Sequence, residues 1–340
     1  MDKLRLGRTN LQVSRSGFGG IPIQRLSDEA STELLRAAFQ GGIDYYDTAR
    51  NYSSSEYKIG LALKQWRADI TIATKTTAKK AAEMEVDLAK SLNELQSDYI
   101  DVYQFHNPDF MPHPGGSDGL YDAALAAKAA GKILYIGITN HRLALAVQAV
   151  KSGLYDVLQF PLSYLSTEQE LALIELCVQY DVGLVAMKAL AGGLISETKA
   201  AFSFLRQYDN VVPIWGLEKL EHLREFLTYE NRELRLDEVQ RQTISQDRQR
   251  LKGNYCRACG YCLPCPAGID IPTAARMELL LGRSDWRSLI SEKNQEKMQR
   301  VENCTTCLHC AQHCPYHLNT PELLKENLTF YREFLKNQGS

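Results

Sequence analysis

At 340 residues the chain has room for a core of roughly 200–250 residues plus a smaller domain. A formal net charge of −2 with no basic block argues against nucleic acid and anionic membrane surfaces as partners. No apolar run approaches the about 20 residues of a membrane span, and Met1-Asp2-Lys3-Leu4-Arg5 lacks the apolar core of a signal peptide, so a cytoplasmic protein is expected. Of nine cysteines, eight fall in two tight clusters after residue 255, a pattern that in a reducing compartment points to metal rather than to disulfides.

In chain order, Leu4-Arg5-Leu6, a Gly7–Asn10 turn and Leu11-Gln12-Val13 predict a short hairpin. Strand-like runs then alternate with helical patterns. The strands are expected at Ser16–Ile21, Ile43–Asp47, Ile70–Lys75, Ile100–His106, Leu134–Thr139, Val157–Pro161, Val182–Lys188 and Val211–Gly216. The helices are expected at Asp28–Gln40, Ser55–Trp66, Glu83–Leu95, Tyr121–Ala130, Leu143–Lys151, Glu168–Tyr180, Lys199–Tyr208 and Lys219–Leu227. Such strand–helix units predict a parallel sheet, and eight of them match a closed (β/α)8 TIM barrel. A doubly wound sheet would need a glycine-rich phosphate turn opening a helix, whereas Gly17-Phe18-Gly19-Gly20 runs into Ile21-Pro22. Three domains follow: the barrel over 1–230, a polar helical linker over 231–252, and a cysteine-bearing all-α domain over 253–340 with helices near Ala274–Leu281, Asp285–Met298 and Pro321–Phe334.

Three barrel strands end in an ionisable residue, Asp47, Lys75 and His106, and Tyr52 lies just past the first of these. Singly, these are a turn-forming acid, a surface lysine, a rim histidine and a packing tyrosine. Together, on adjacent strand ends, they occupy the face where barrels place their chemistry. The set suits carbonyl reduction. Tyrosine, with an ordinary pKa of about 10, is a weak acid that a neighbouring ammonium makes stronger, while a carboxylate holds the ammonium and an imidazole orients the carbonyl oxygen.

The stretches Gly42–Tyr52, Thr74-Lys75-Thr76, Asp101–Asp109, Gly137–His141 and Gln159-Phe160-Pro161 resemble, in order, the signatures of the aldo-keto reductases, over roughly residues 1–228. The resemblance implies a (β/α)8 barrel plugged by an N-terminal hairpin, NADPH bound without a Rossmann motif (NADH as the alternative), and reversible reduction of a small-molecule aldehyde or ketone. It makes Asp47, Tyr52, Lys75 and His106 the catalytic tetrad and assigns Thr139, Asn140 and Gln159 to the nicotinamide carboxamide, whose donor and acceptor need polar complements. It further implies nucleotide contacts from Gly20, Met187, Lys188, Leu190, Gly216, Lys219, His222 and Glu225. Met187 stands where many members stack a tyrosine on the ring. Lys219, His222 and Arg224 open the last helix, where free N–H groups favour a 2′-phosphate, although His222 replaces the family's arginine. The short loop Ala189–Ser196 is expected to clamp the cofactor loosely, and the substrate rim to include Ile21, Asn107, Pro108 and the loop Phe110–Gly119.

The cysteine runs are Cys256-x2-Cys259-x2-Cys262-x2-Cys265-Pro266 and Cys304-x2-Cys307-x2-Cys310-x3-Cys314-Pro315. Three cysteines two residues apart and a fourth before proline are the bacterial ferredoxin spacing, whose fourth cysteine serves the other cluster. One [4Fe–4S] is therefore expected on Cys256, Cys259, Cys262 and Cys314, the other on Cys304, Cys307, Cys310 and Cys265. The first run is one residue tighter than usual. Zinc sites share the x2 spacing but more often show paired runs. The helical periodicity between the runs is similar to the dicluster domain of fumarate reductase-type iron–sulfur subunits. Cys177 reads as a core residue, and His309, His313 and His317 as polar neighbours of the second run. The clusters would exchange electrons with a ferredoxin or another redox protein; alternatively they are structural or redox-sensing. No flavin-binding stretch is evident that could bridge one-electron clusters and a two-electron hydride carrier.

Overall fold

The computed structural model describes residues 1–230, 235–251, 255–282 and 286–338. Asn231–Leu234 and Lys252 of the expected linker, Gly253 at the start of the expected cysteine domain and Asp285 at the start of an expected helix lie outside the described residues. The chain forms two compact units: Met1–Ala189 with Lys199–Gln240, and Leu190–Thr198 with Arg241–Ser340.

In the first unit a hairpin of β1 (Lys3–Arg5) and β2 (Gln12–Ser14) precedes eight parallel strands. These are β3 (Gly17–Gly19), β4 (Tyr45–Asp47), β5 (Thr71–Thr76), β6 (Ile100–His106), β7 (Ile133–Thr139), β8 (Val157–Pro161), β9 (Gly183–Met187) and β10 (Val211–Trp215). They close in the order β10-β3-β4-β5-β6-β7-β8-β9. The helices that follow them are α1 (Asp28–Gln40), α2 (Ser55–Leu63), α3 (Ala81–Leu95), α4 (Leu120–Ala129), α5 (Leu143–Ser152), α6 (Glu168–Gln179), α7 (Thr198–Leu205) and α8 (Leu220–Glu230). Caps set several helix boundaries. Ser27 accepts from Ala30 N at α1, Thr167 and Glu170 form a capping box at α6, and α5 stops at left-handed Gly153.

Period-2 alternation layers the barrel interior. Tyr45, Ala73, Val102, Val157, Val185 and Val212 form one apolar group with Leu4, Leu6 and Val13 of the hairpin region, which plugs the end where the strands begin. Two residues further along four of those strands stand Asp47, Lys75, Gln104 and Gln159, all nearly without exposure. A dry apolar floor thus sits under a polar layer at the strand ends. Strand β3 is shorter than its apolar run, leaving Ile21 43% exposed beyond it. α2 stops at Leu63 and passes into a 3-10 turn, because Trp66 takes up non-helical angles.

The second unit, among its described residues, is helical. It comprises most of α9 (Glu238–Arg250), then α10 (Ile271–Ala274), α11 (Met277–Leu281), α12 (Trp286–Leu289), α13 (Glu292–Gln299), α14 (His309–Gln312) and α15 (Thr320–Gln338). The pattern over 285–298 is broken into α12 and α13 by extended Ser291. Among the described residues no helix is long and apolar enough to cross a membrane.

Candidate active site and cysteine centre

Inward-facing ends of β4 and β5 bring Asp47 and Lys75 together: the ammonium donates to Asp47 Oδ1 and to the Thr48 carbonyl, each at 2.6 Å. Asp47 Oδ2 accepts from Gln159 Nε2 at 2.8 Å and faces Gln104 Nε2 at 3.4 Å. Burial raises the Asp47 pKa and lowers that of Lys75, each opposed by the partner's charge. Beside the pair, the Tyr52 ring meets the His106 ring edge-to-face at 5.7 Å, and Lys75 Nζ lies 5.1 Å from the centre of the Tyr52 ring. Gly20, at the end of β3, donates its N–H to the Asp47 carbonyl at 2.7 Å. A Cβ there would sit 2.8 Å from that same oxygen, so the close approach needs glycine.

Behind Lys75 lies a network that sequence reading missed. Fully buried Glu56 accepts from Thr74 Oγ1 at 2.5 Å and Ser91 Oγ at 2.7 Å, and pairs with Arg50, which also holds Glu94. The Arg50 N–H donates to the Lys75 carbonyl at 2.9 Å, locking the strand end that carries the ammonium. Gln104 was also missed as a functional residue, although its inward register with Val102 and His106 on β6 was the available signal.

His106 is held neutral. Burial, with Lys75 and Lys188 as neighbouring cations, pushes its pKa down to about 3 from 6.5, and its Nδ1 is buried with no hydrogen-bond partner. The unfolded chain takes up that proton at 6.5 and the folded one only near 3, so stability falls as pH drops through this window. In urea titrations between pH 5 and 6.5, His106→Asn should flatten the slope of stability against pH. A slope equal to wild type would mean the imidazole is not kept neutral by the fold.

The remaining candidate positions are spread along the rim. Thr139 Oγ1 accepts from Asn107 N at 3.0 Å, and Asn140 is tied by its Nδ2 to the Pro108 carbonyl and by its Oδ1 to Arg142 N. Asn107 and Lys188 have φ of 52° and 57°, left-handed conformations that concentrate at functional loops. Met187 packs partly buried against the interior group. Gly216 is exposed, and Glu225 accepts from the Tyr229 hydroxyl at 2.5 Å. Lys219 and His222 are exposed at the start of α8. Arg224 instead lines a groove of about 700 Å3 between α8 and α1, which Lys219 and His222 do not line. Leu190 belongs to the second unit.

In that unit Cys265, Cys304, Cys307 and Cys310 line one cavity of about 20 Å3, with Ile269 and Leu324 among its apolar walls. The fourth cysteine of the first run is thus beside the second run. Cys262, its thiol pushed up to about 12 by burial, also feels the charges of Cys256, Cys259 and Cys310. Cys256 Sγ accepts from Ala258 N at 3.4 Å. Cys314 packs against the same core, and Cys256, Cys262 and Cys310 are part of it. Among the described residues no three His, Cys, Asp or Glu side chains converge as around a single ion. Four thiols around one apolar cavity fit the donor set of an iron–sulfur cubane, whose irons would hold the thiolates ionised. His309 lines the cavity and lies 4.2 Å, ring to ring, from His313. Cys177 is fully buried, its thiol pushed up to about 12 by burial alone, in keeping with a core role.

Residues 15–203 match the model of the aldo/keto reductase family, and residues 255–318 that of a 4Fe-4S dicluster domain. L-galactose dehydrogenase of Arabidopsis thaliana is 30% identical over 215 residues, which cover 56% of this chain and 66% of that protein, just under two thirds of its length. An aldo-keto reductase of Bacillus halodurans, solved in its holo form, superposes with a TM-score of 0.64 at 23% identity, covering 73% of this chain and 96% of that one. An aldo-keto reductase of Klebsiella pneumoniae in complex with NADPH gives 0.60 at 20% identity, covering 72% and 94%. At these identities the structural likeness is one of fold.

Proposed function

Because the chain belongs to the aldo-keto reductase family, we propose that it reduces a small aldehyde or ketone with NADPH, using Asp47, Tyr52, Lys75 and His106, and carries two [4Fe–4S] clusters. The observation that carries the reading is the meeting of a buried Lys75–Asp47 pair with the Tyr52 and His106 rings at the strand ends.

NADPH, when bound, supplies the hydride that goes to the carbonyl carbon. His106, kept neutral, donates its ring N–H to the carbonyl oxygen and orients it. As the C=O π pair moves onto oxygen, Tyr52 gives up its hydroxyl proton to form the alcohol, and the Lys75 ammonium stabilises the phenolate left behind. Asp47 keeps Lys75 in place, and Gln104 and Gln159 keep Asp47 from turning. Gln159 has its carbonyl oxygen left to meet the nicotinamide carboxamide alongside Thr139 and Asn140, at the ends of adjacent strands β7 and β8. Lys219 and His222 at the start of α8 are the candidates for the 2′-phosphate.

Anaerobically purified protein is expected to oxidise NADPH with an aldehyde or ketone panel, with a higher kcat/KM than for NADH. It should contain about eight irons and eight sulfides per chain. Replacing both Cys304 and Cys307 by serine should remove about half of the iron, since they belong to one expected set. No carbonyl-dependent NADPH oxidation, or zinc in place of iron, would overturn the respective half of the proposal.

Two roles of the clusters remain to be separated. In one they pass single electrons to a ferredoxin or similar protein. In the other they are structural or sensory, which is favoured by Cys256, Cys262 and Cys310 being part of the core of their unit. A reduced-cluster EPR signal on adding NADPH would support the first role. Its absence, together with carbonyl reduction that survives loss of the clusters, would support the second.

A further inference from the structure

Leu190–Thr198 follows β9 directly and leads into α7, yet it packs with the second unit. Its backbone is unusual: Ala191, Gly192 and Gly193 run at φ 49°, 66° and 92°, with Gly193 N and Ile195 N both donating to the Leu190 carbonyl. Gly192 and Gly193 take positive φ at no steric cost, but Ala191 does not, so its left-handed backbone needs support from outside the loop.

Arg276 supplies it. The side chain is buried, at 8% exposure. Its Nη1 donates to the Gly192 carbonyl at 2.6 Å, and its Nε to the Pro272 carbonyl at 2.8 Å. A Cβ built on Gly192 would lie 3.1 Å from Nη1, 3.5 Å from Ala258 Cβ and 3.6 Å from the Arg257 carbonyl oxygen. The segment therefore lies against the turn between Cys256 and Cys259. Burial lowers the guanidinium pKa, and Cys256 and Asp270 oppose this as neighbours. The described residues from Tyr255 to Asp270 contain neither helix nor strand. A loop without its own ladder takes its shape from what its cysteines bind.

We propose that Arg276 is a positioning residue that ties segment 190–198 to the first cysteine run, so that this segment keeps its shape only while that run holds its cluster.

The test is hydrogen exchange by mass spectrometry on the full chain. Three samples are compared: as-purified protein, protein stripped anaerobically by an iron chelator, and Arg276→Ala. Peptides covering 190–198 should exchange about tenfold faster, or more, in the stripped protein and in Arg276→Ala, a factor of the size a lost charge-assisted hydrogen bond carries. The Arg276→Ala cluster absorbance should match wild type, Arg276→Lys should recover much of the protection, and reconstitution with iron and sulfide should restore the stripped sample. If Arg276→Ala loses its clusters, stripped and reconstituted wild type still decide the question. Equal protection of 190–198 in all samples would overturn the tie.

Discussion

Tyr52→Phe should lower turnover about 10²–10⁴-fold, the range contributed by a positioned proton donor, and leave NADPH binding within about twofold of wild type. The substitution removes one hydroxyl. The ring keeps its edge-to-face contact with His106 and its place beside Lys75, so the cleft keeps its shape. What is lost is the proton that must reach oxygen as hydride reaches carbon. Tyr52 is half-buried and can be reprotonated from solvent, whereas the buried Lys75–Asp47 pair can tune it but not replace it. Single-turnover hydride transfer, read as loss of NADPH absorbance under excess enzyme, isolates the chemical step from product release. A Tyr52→Phe rate equal to wild type would mean that the barrel reduces carbonyls by another acid, or not at all.

Lys75→Met is expected to destabilise the barrel by about 3–5 kcal/mol, the cost of leaving one member of a buried ion pair without its partner. Asp47 is 2% exposed and Lys75 1%, so neither charge can turn to water when the other is removed. The same change should abolish turnover, because the ammonium that favours the phenolate is gone. A second variant separates the two effects. In Asp47→Leu/Lys75→Met both charges disappear, so stability should rise above that of Lys75→Met while activity stays lost; it falls short of wild type because the buried Gln159 and Gln104 donors lose their acceptor on Asp47. Urea unfolding followed by tryptophan fluorescence in a Trp286→Phe background, which leaves Trp66 and Trp215, reports on the barrel unit. If Lys75→Met unfolds at the same urea concentration as wild type, the pair is not the buried, mutually dependent one described.

The alternation of strands and helices was legible because both faces of a parallel strand are buried and its sequence runs nearly unbroken in apolar residues, while surface helices show their 3.6 period. Asp47, Lys75 and His106 could be placed on one rim for the same local reason: each closes such a run, and a barrel points all its strand ends the same way. The cysteine runs were legible from spacing alone, since ligands a few residues apart share one loop.

Tertiary structure decided everything that depends on distant partners. Gln159 donates to an aspartate 112 positions away, so its role in holding Asp47 could not be read from β8. Glu56 looks like an ordinary first-turn acid of α2 until Arg50, Thr74 and Ser91 are seen to enclose it. The segment after β9 reads as a barrel loop in the chain, yet it packs with the cysteine unit through Arg276, 84 residues on. Periodicity and spacing record what a residue's near neighbours require. The long-range hydrogen bonds that satisfy buried polar groups leave no such periodic trace, and only the closed fold shows which groups meet.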